Sequence, residues 1–328
     1  MTQAAVVDVH LTSDHATRSL RADARRGLTA DPKWLPPKWF YDARGSDLFE
    51  QITQLPEYYP TRAEREVLQR RADEIAAQTG ARSLVELGSG SSEKTRLLLD
   101  ALHGRSGEHG NLSEFVPLDV SEAALREAVA VIVADYPGLR VHGVVGDFTE
   151  HLDRLPGAAP RLVAFLGGTI GNLLPGERAP FLSSVRGVLD DGEWLLLGTD
   201  LVKSPDVLVP AYDDSAGVTA EFNRNVLHVL NRELGADFDV DAFSHVARWN
   251  AEQEWVEMRL RATRGMRVRL PEIDLEVDFA KGEELRTEIS AKFRRERVEV
   301  ELAAAGFALA SWWTDPDDRF AVSLARAR

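Results

Sequence analysis

Cysteine is absent from these 328 residues. That excludes disulfides, thiolate metal sites and a cysteine nucleophile together, and it fits a reducing compartment. Eight histidines remain as nitrogen ligands, but none stands in a His-x3-His or His-Glu-x2-His spacing, so no metal is expected. Also missing is any apolar run of the ~18 residues that a bilayer-crossing helix needs. The opening MTQAAVVDVHLTSDH lacks the basic and apolar regions of a signal peptide, so a cytoplasmic protein is expected. Bases are scarce, 39 against 53 acids, for a formal net charge of −14. Such a balance repels nucleic-acid backbones and anionic membranes unless bases cluster, and ARRG and KFRRER are too short to do so. Neither partner is expected, and the default expectation is a monomer.

The length allows one large domain or two ordinary ones, and the apolar content is that of a globular protein. Residues 1 to 60 hold a possible short helix and a proline- and aromatic-rich stretch, DPKWLPPKWFYD. A helix is expected from Thr61, with Thr61-x-x-Glu64 as a capping box and Gly80 as its end. From there strand and helix alternate. SLVELG, EFVPLD, LRVHGVV, RLVAFLG and EWLLLGTD read as strands. EKTRLLLDAL, SEAALREAVAVIVADYP (capped by Ser121) and PGERAPFLSSVRGVLDDG read as helices. This order predicts an α/β fold with a parallel sheet covered on both faces.

The alternation breaks after Asp200. Two helical stretches are followed by SHVARWN, EWVEMRLRAT, MRVRL, LEVDF and LRTEISAKF, which read as neighbouring strands of an α+β insertion. RRERVEVELAAAG then resumes a helix, and FALASWWTD with RFAVSLARA makes two strands around a DPDD turn that would complete the first sheet. The predicted division is therefore 63–202 with 292–328 for one domain, and 1–62 with 203–291 for the other. Trp312 and Trp313, adjacent on a strand, point to opposite faces and suit core packing more than a binding box.

The loop VELGSGSSEKT, Val85 to Thr95, admits three ligands. A phosphate loop needs glycine where Glu93 stands, and a side chain with negative charge there opposes phosphate. A dinucleotide fingerprint has Gly88 and Gly90 but again meets Glu93, and its ribose acid should follow by about 20 residues. Asp119 lies 31 residues after Gly88. S-Adenosylmethionine accounts for more residues. Glu86, Asp119 and Asp147 stand at the carboxyl ends of three successive strands, where open α/β sheets bind ligands. Asp119 is at the height for ribose hydroxyls, Asp147 for the adenine amino group, and Phe148 can cover the ring. Any one of these acids alone would more simply cap a helix.

Beyond the loop, LPPKWFYD, GSDLFEQIT, LPEYYPTR, LVELGSGSSEKTRLLLDA, FLGGTIGN, LLLGTDLVK, AYDDSAGVTAEFNRNVL, DLEVDFA and WWTDP resemble the histidine Nα-methyltransferases of ergothioneine biosynthesis, in their actinobacterial form. The resemblance covers nearly the whole chain. It implies a Rossmann-like class I S-adenosylmethionine-dependent methyltransferase domain with an inserted α+β substrate-binding domain. The implied reaction transfers three methyl groups to the α-amino nitrogen of L-histidine, giving hercynine. It further implies donor contacts at Gly88, Lys94, Asp119, Asp147 and Phe148, with Lys94 pairing the methionyl carboxylate. The implied histidine site comprises Tyr41, Tyr58, Gly167, Asn172, Tyr212, Met258, Glu288 and Ser290. Within it Asn172 and Tyr212 would hold the carboxylate, Glu288 and Ser290 the imidazole, and Tyr58 its other face. Tyr41 and Asn172, with a water, would orient the reacting nitrogen.

Read from residues alone, these positions are less specific. Glu288 and Ser290 share one strand face, which could equally face solvent. Asn172 in GGTIGN could be a left-handed turn residue, and Tyr212 an ordinary helix aromatic. Ala291 stands where relatives can carry cysteine, and the extreme N-terminus departs from the family pattern. Two alternatives remain at this point: an amino-acid N-methyltransferase for another substrate such as tryptophan, and a non-catalytic protein that kept the fold.

Overall fold

The computed structural model of the chain describes residues 5–11, 13–90, 92–104 and 110–328. Ser91, within the VELGSGSSEKT loop, lies outside them. In chain order β1 (Val6–Val9) precedes α1 (Ser13–Leu28), α2 (Ala43–Gln54) and α3 (Pro60–Thr79). The alternating stretch follows as β2 (Ser83–Leu87), α4 (Thr95–His103), β3 (Glu114–Asp119), α5 (Glu122–Asp135), β4 (Arg140–Val145), β5 (Arg161–Phe165), α6 (Pro175–Gly187) and β6 (Trp194–Asp200). Then come α7 (Pro205–Leu208), α8 (Val218–Leu234), β7 (Phe243–Asn250), β8 (Trp255–Ala262), β9 (Met266–Leu270), β10 (Leu275–Phe279) and β11 (Glu284–Ala291). The chain closes with α9 (Arg295–Ala304), β12 (Phe307–Thr314) and β13 (Phe320–Ala327).

The chain forms two compact units. The first comprises Met1–Leu11, Pro60–Val202 and Phe293–Arg328, and the second Thr12–Tyr59 and Lys203–Lys292. An eight-stranded sheet in the order β1-β4-β3-β2-β5-β6-β13-β12 forms the first unit. Strands β1 to β6 pair in parallel, and β13 and β12 are added antiparallel at one edge. Every residue of β2 is buried, as a central strand with helices on both faces requires. The chain leaves β2 for β3 on one side and returns to β5 on the other. The carboxyl end of β2 is thus a topological switch point, where such sheets open a crevice for ligands.

Two local expectations differ from the structure. Residues 1–62 do not all belong with the insertion, because β1 pairs in register with β4 at the sheet edge. Its four residues are too few and too exposed for an alternating pattern to announce a strand. Helix α3 starts at Pro60, a residue suited to the first turn because its missing N–H is not needed there. Glu64 is not its capping glutamate: its carboxylate is wholly buried and bonded to other elements. Ser121 does cap α5, accepting from Ala124 N at 3.4 Å, and α3 ends at Gly80 with φ +53°.

In the second unit the five expected strands divide into a three-stranded antiparallel sheet, β11-β8-β7, and a β9-β10 hairpin. Helix α8 buries Phe222, Val226 and Leu230, four residues apart and so on one stripe. A bulge at Thr287 interrupts the register between β11 and β8, after which Glu288 lies opposite Met258.

Candidate active site

In the first unit the loop after β2 is built by backbone. Gly88 N and Ser89 N donate to Leu118 O at 2.8 and 3.0 Å, tying the start of the loop to the end of β3. Asp119 then accepts from Gly90 N at one oxygen and from Ser121 N at the other, both at 2.9 Å. Burial pushes its carboxyl upward against backbone N–H donation from Ser121, Gly90 and Val120. The two oxygens together offer about four acceptor sites, so the carboxylate can still accept from a hydroxyl donor. Gly88 (φ +70°) and Gly90 (φ +49°) adopt left-handed conformations, and a Cβ at either would project into open space. Ser89 Oγ is buried with no hydrogen-bond partner. A carboxylate, an orphaned hydroxyl and open room over two glycines fit a ligand bearing hydroxyls and an amino-acid tail rather than phosphate.

Glu86, one of the three strand-end acids, has a different task. Its carboxylate accepts from Thr95 Oγ1, and from Ser92 Oγ at 3.2 Å, closing the loop on itself. Burial lifts its pKa to about 7 against those bonds. Glu93, the residue that spoils both nucleotide patterns, is exposed and paired with Arg65 of α3 at 3.0 Å.

Lys94 pairs with Glu64 of α3. The same carboxylate accepts from Gly167 N at 2.8 and 3.0 Å, so one buried acid holds the loop after β2 to the turn after β5. Room for it comes from Gly198 in β6, where a Cβ would lie 2.2 Å from Glu64 Oε1. Sequence reasoning missed Glu64; a glycine inside the buried strand WLLLGTD was the available signal of close approach. Gly167 (φ +77°) lies near Lys94, whose Nζ would be 3.7 Å from an added Cβ. Asn172 ends a short 3-10 turn, Thr169–Asn172. The left-handed positions there are Gly167 and Gly168, so Asn172 is not the αL residue of that turn. Asp147 accepts from Thr149 N and Thr149 Oγ1 at 2.8 and 2.6 Å, in a turn that carries Phe148. The Phe148 ring packs edge-on against Phe165 and Phe181, at 5.1 and 5.6 Å between centroids.

The second unit assembles the other named residues. Tyr41 packs against Phe49 (5.6 Å), Phe49 against Tyr58 (6.2 Å), and Tyr58 against Tyr212 (6.4 Å), in an edge-on aromatic string. At its end Tyr212 donates its hydroxyl to Ser290 Oγ at 2.7 Å. Lys292, which sequence reasoning also missed, is 1% exposed and donates to both hydroxyl oxygens at 2.8 Å. Its ammonium lies 4.7 Å from the centre of the Tyr212 ring. Glu288 is buried, and burial lifts its pKa to about 7 although the Lys292 charge pulls it down. Tyr212 and Ser290, expected at different ends of a substrate, are thus parts of one hydrogen-bonded cluster.

Behind this cluster Thr287 Oγ1 donates to Asn223 Oδ1 (2.6 Å), and Asn223 Nδ2 donates to His245 Nδ1 (2.8 Å). His245 Nε2 therefore carries the proton and donates to Tyr212 O at 2.8 Å. This chain fixes the Tyr212 backbone, and burial holds the His245 pKa below its ordinary value. Among the described residues no group of three or more acids and histidines could hold a metal ion, and no helix is long and apolar enough to cross a membrane.

Residues 20–327 match the profile of the S-adenosylmethionine-dependent, histidine-specific methyltransferases. The chain is 60% identical over 316 residues to the histidine N-alpha-methyltransferase of Mycolicibacterium smegmatis, an alignment covering 96% of this chain and 97% of that one. It is 57% identical to the protein of the same description from Mycobacterium tuberculosis, with the same coverage. It is also 35% identical over 212 residues to ergothioneine biosynthesis protein 1 of Neurospora crassa, covering 62% of this chain and 23% of that protein.

Proposed function

The chain belongs to the S-adenosylmethionine-dependent, histidine-specific methyltransferases, and we propose that it transfers three methyl groups to the α-amino nitrogen of L-histidine, giving hercynine for ergothioneine biosynthesis. The observation that carries the substrate reading is Glu288, a buried carboxylate beside the Ser290 hydroxyl on one face of β11. A neutral imidazole offers one N–H and one bare nitrogen, which such a pair can match. An indole offers only the N–H. That difference favours histidine over the second reading, tryptophan.

The methyl donor supplies an electrophilic methyl group on a sulfonium. Asp119 is the residue proposed for its ribose hydroxyls, Asp147 and Phe148 for adenine, and Gly88 with Lys94 for the methionyl end. Lys94 has three N–H donors, so its pairing with Glu64 leaves capacity for a second carboxylate. For histidine, Glu288 and Ser290 are proposed for the imidazole with Tyr58 at its other face. Asn172 and the Tyr212–Lys292 end of the cluster are proposed for the carboxylate, and Met258 for apolar contact.

The chain's own task is alignment, because in-line displacement needs a neutral amine lone pair held toward the methyl group. Partial burial disfavours the ammonium, and Tyr41 and Asn172, with a water, are proposed to orient the nitrogen. Gly167 provides space as methyl groups accumulate. A monomeric, cytoplasmic enzyme belongs to the same proposal, and sedimentation tests the first part. The reaction itself is tested by incubating the protein with S-adenosylmethionine and single amino acids and counting methyl additions by mass spectrometry. Three additions to histidine are expected. Additions to tryptophan in place of histidine would overturn the reading.

A further inference from the structure

Lys292 is a fully buried cation with hydroxyl oxygens for neighbours. An ammonium can only donate. It donates to Tyr212 Oη and to Ser290 Oγ, and the Tyr212 hydroxyl donates to Ser290 Oγ as well. A phenol is a stronger donor and a weaker acceptor than an aliphatic hydroxyl, so the bond runs from Tyr212 to Ser290; Ser290 Oγ then accepts two bonds, filling both its lone pairs, and its own hydrogen is left to point at a third group. Residues 288, 290 and 292 alternate onto one face of the strand and its extension, so Glu288 is the next side chain along that face from Ser290.

We propose that Lys292 is a positioning residue that forces Ser290 to act as a hydrogen-bond donor, so that the unprotonated ring nitrogen of histidine lies against Ser290 and the ring N–H against Glu288. This rests on the reading that Glu288 and Ser290 address the imidazole. The face then presents one donor and one acceptor in fixed order, matching a neutral imidazole in a single tautomer and orientation. Without the ammonium, one lone pair of Ser290 Oγ is free and the hydroxyl can accept from the ring as well as donate to it.

Two histidine analogues read the order of donor and acceptor. In 3-(thiazol-4-yl)alanine and 3-(thiazol-5-yl)alanine the ring has no N–H and keeps one acceptor nitrogen, at one or the other of the two imidazole nitrogen positions. Wild-type protein is expected to prefer one isomer in kcat/KM by about tenfold or more, since a nitrogen misplaced from Ser290 leaves a buried donor unpaired. Lys292→Met and Ser290→Ala are expected to bring the ratio to within about twofold while calorimetric affinity for S-adenosylmethionine is unchanged. Lys292→Arg, which still donates, is expected to retain a preference for the same isomer. A ratio near one in the wild type, or an undiminished ratio in Lys292→Met, would overturn the proposal. If Lys292→Met does not fold, an undiminished ratio in Ser290→Ala overturns it equally. A wild-type protein that fails to methylate histidine at all would instead remove the reading beneath it, and the two failures are distinguishable.

Discussion

The donor loop of the first unit and the polar cluster of the second both hold a carboxylate away from water, but they do so with different groups. Asp119 is held by the N–H groups of Gly90 and Ser121, all within one loop and one strand end. Glu288 has the charge of Lys292 to oppose its burial, in a cluster joining Tyr212 and Lys292, which are 80 residues apart. Backbone donors follow from the path of the chain, whereas the cluster depends on the identity of each side chain. On the proposed assignment, donor binding should therefore tolerate substitution of neighbouring side chains, and substrate choice should depend on the side chains of the second unit.

Glu288→Ala is expected to have the largest effect. It should weaken histidine binding on the order of 100-fold, for the loss of a charged hydrogen-bond partner, with donor affinity nearly unchanged. Calorimetric titration with each ligand checks this, and equal loss for both would dissolve the separation. Asp119→Ala should do the reverse, lowering donor affinity by about 10- to 100-fold while sparing histidine. If donor affinity is unchanged, Asp119 has no part at the ribose.

Glu64→Gln acts within the first unit. Removing one charge from a buried pair should cost about 1–3 kcal/mol of stability, the lower end reflecting the partial exposure of Lys94, read as a lower Tm. An unchanged Tm would mean that the Lys94 pairing carries no stability.

The smallest effect expected is in pH dependence. Glu288 titrates near 7 in the folded chain, above its ordinary value, so its protonated form stabilises the fold below pH 4.5 and that contribution is lost as pH rises through 7. Imidazole N–H donation favours the ionised form. Histidine KM should therefore fall a few-fold more between pH 6 and 8 in the wild type than in Glu288→Gln, which cancels the substrate's own titration. His245 has the opposite sign: with its pKa lowered, it contributes stability above pH 6.5 that is lost as pH falls through the folded value. A Tm that did not fall on acidification in the wild type, relative to His245→Gln, would exclude that contribution.

Most of the first sheet was legible because buried parallel strands and helices announce themselves as apolar runs and periodic faces, and strand-end acids mark the crevice. Asp119 was readable for that reason. The partner of Lys94 was not, because Glu64 lies 30 residues upstream in a pattern that also spells a helix cap. Strand β1 escaped because pairing, not pattern, makes four exposed residues a strand. In the insertion, Glu288 and Ser290 could be placed on one face by their spacing, but Lys292 sits just past the strand, where nothing in KF distinguishes a buried ammonium from a surface one. The family resemblance identified Tyr212 and Ser290 individually. Only the structure shows that they share a hydrogen.

In the proposed reaction the second unit selects the imidazole of histidine while methyl groups are delivered to its α-nitrogen. Tandem mass spectrometry of the products from an equimolar mixture of histidine and tryptophan with excess S-adenosylmethionine tests it most directly. Three methyl groups, all on the α-nitrogen of histidine, with tryptophan unchanged, is the predicted result. Methyl groups on the imidazole ring, or methylated tryptophan beside unmodified histidine, would contradict it.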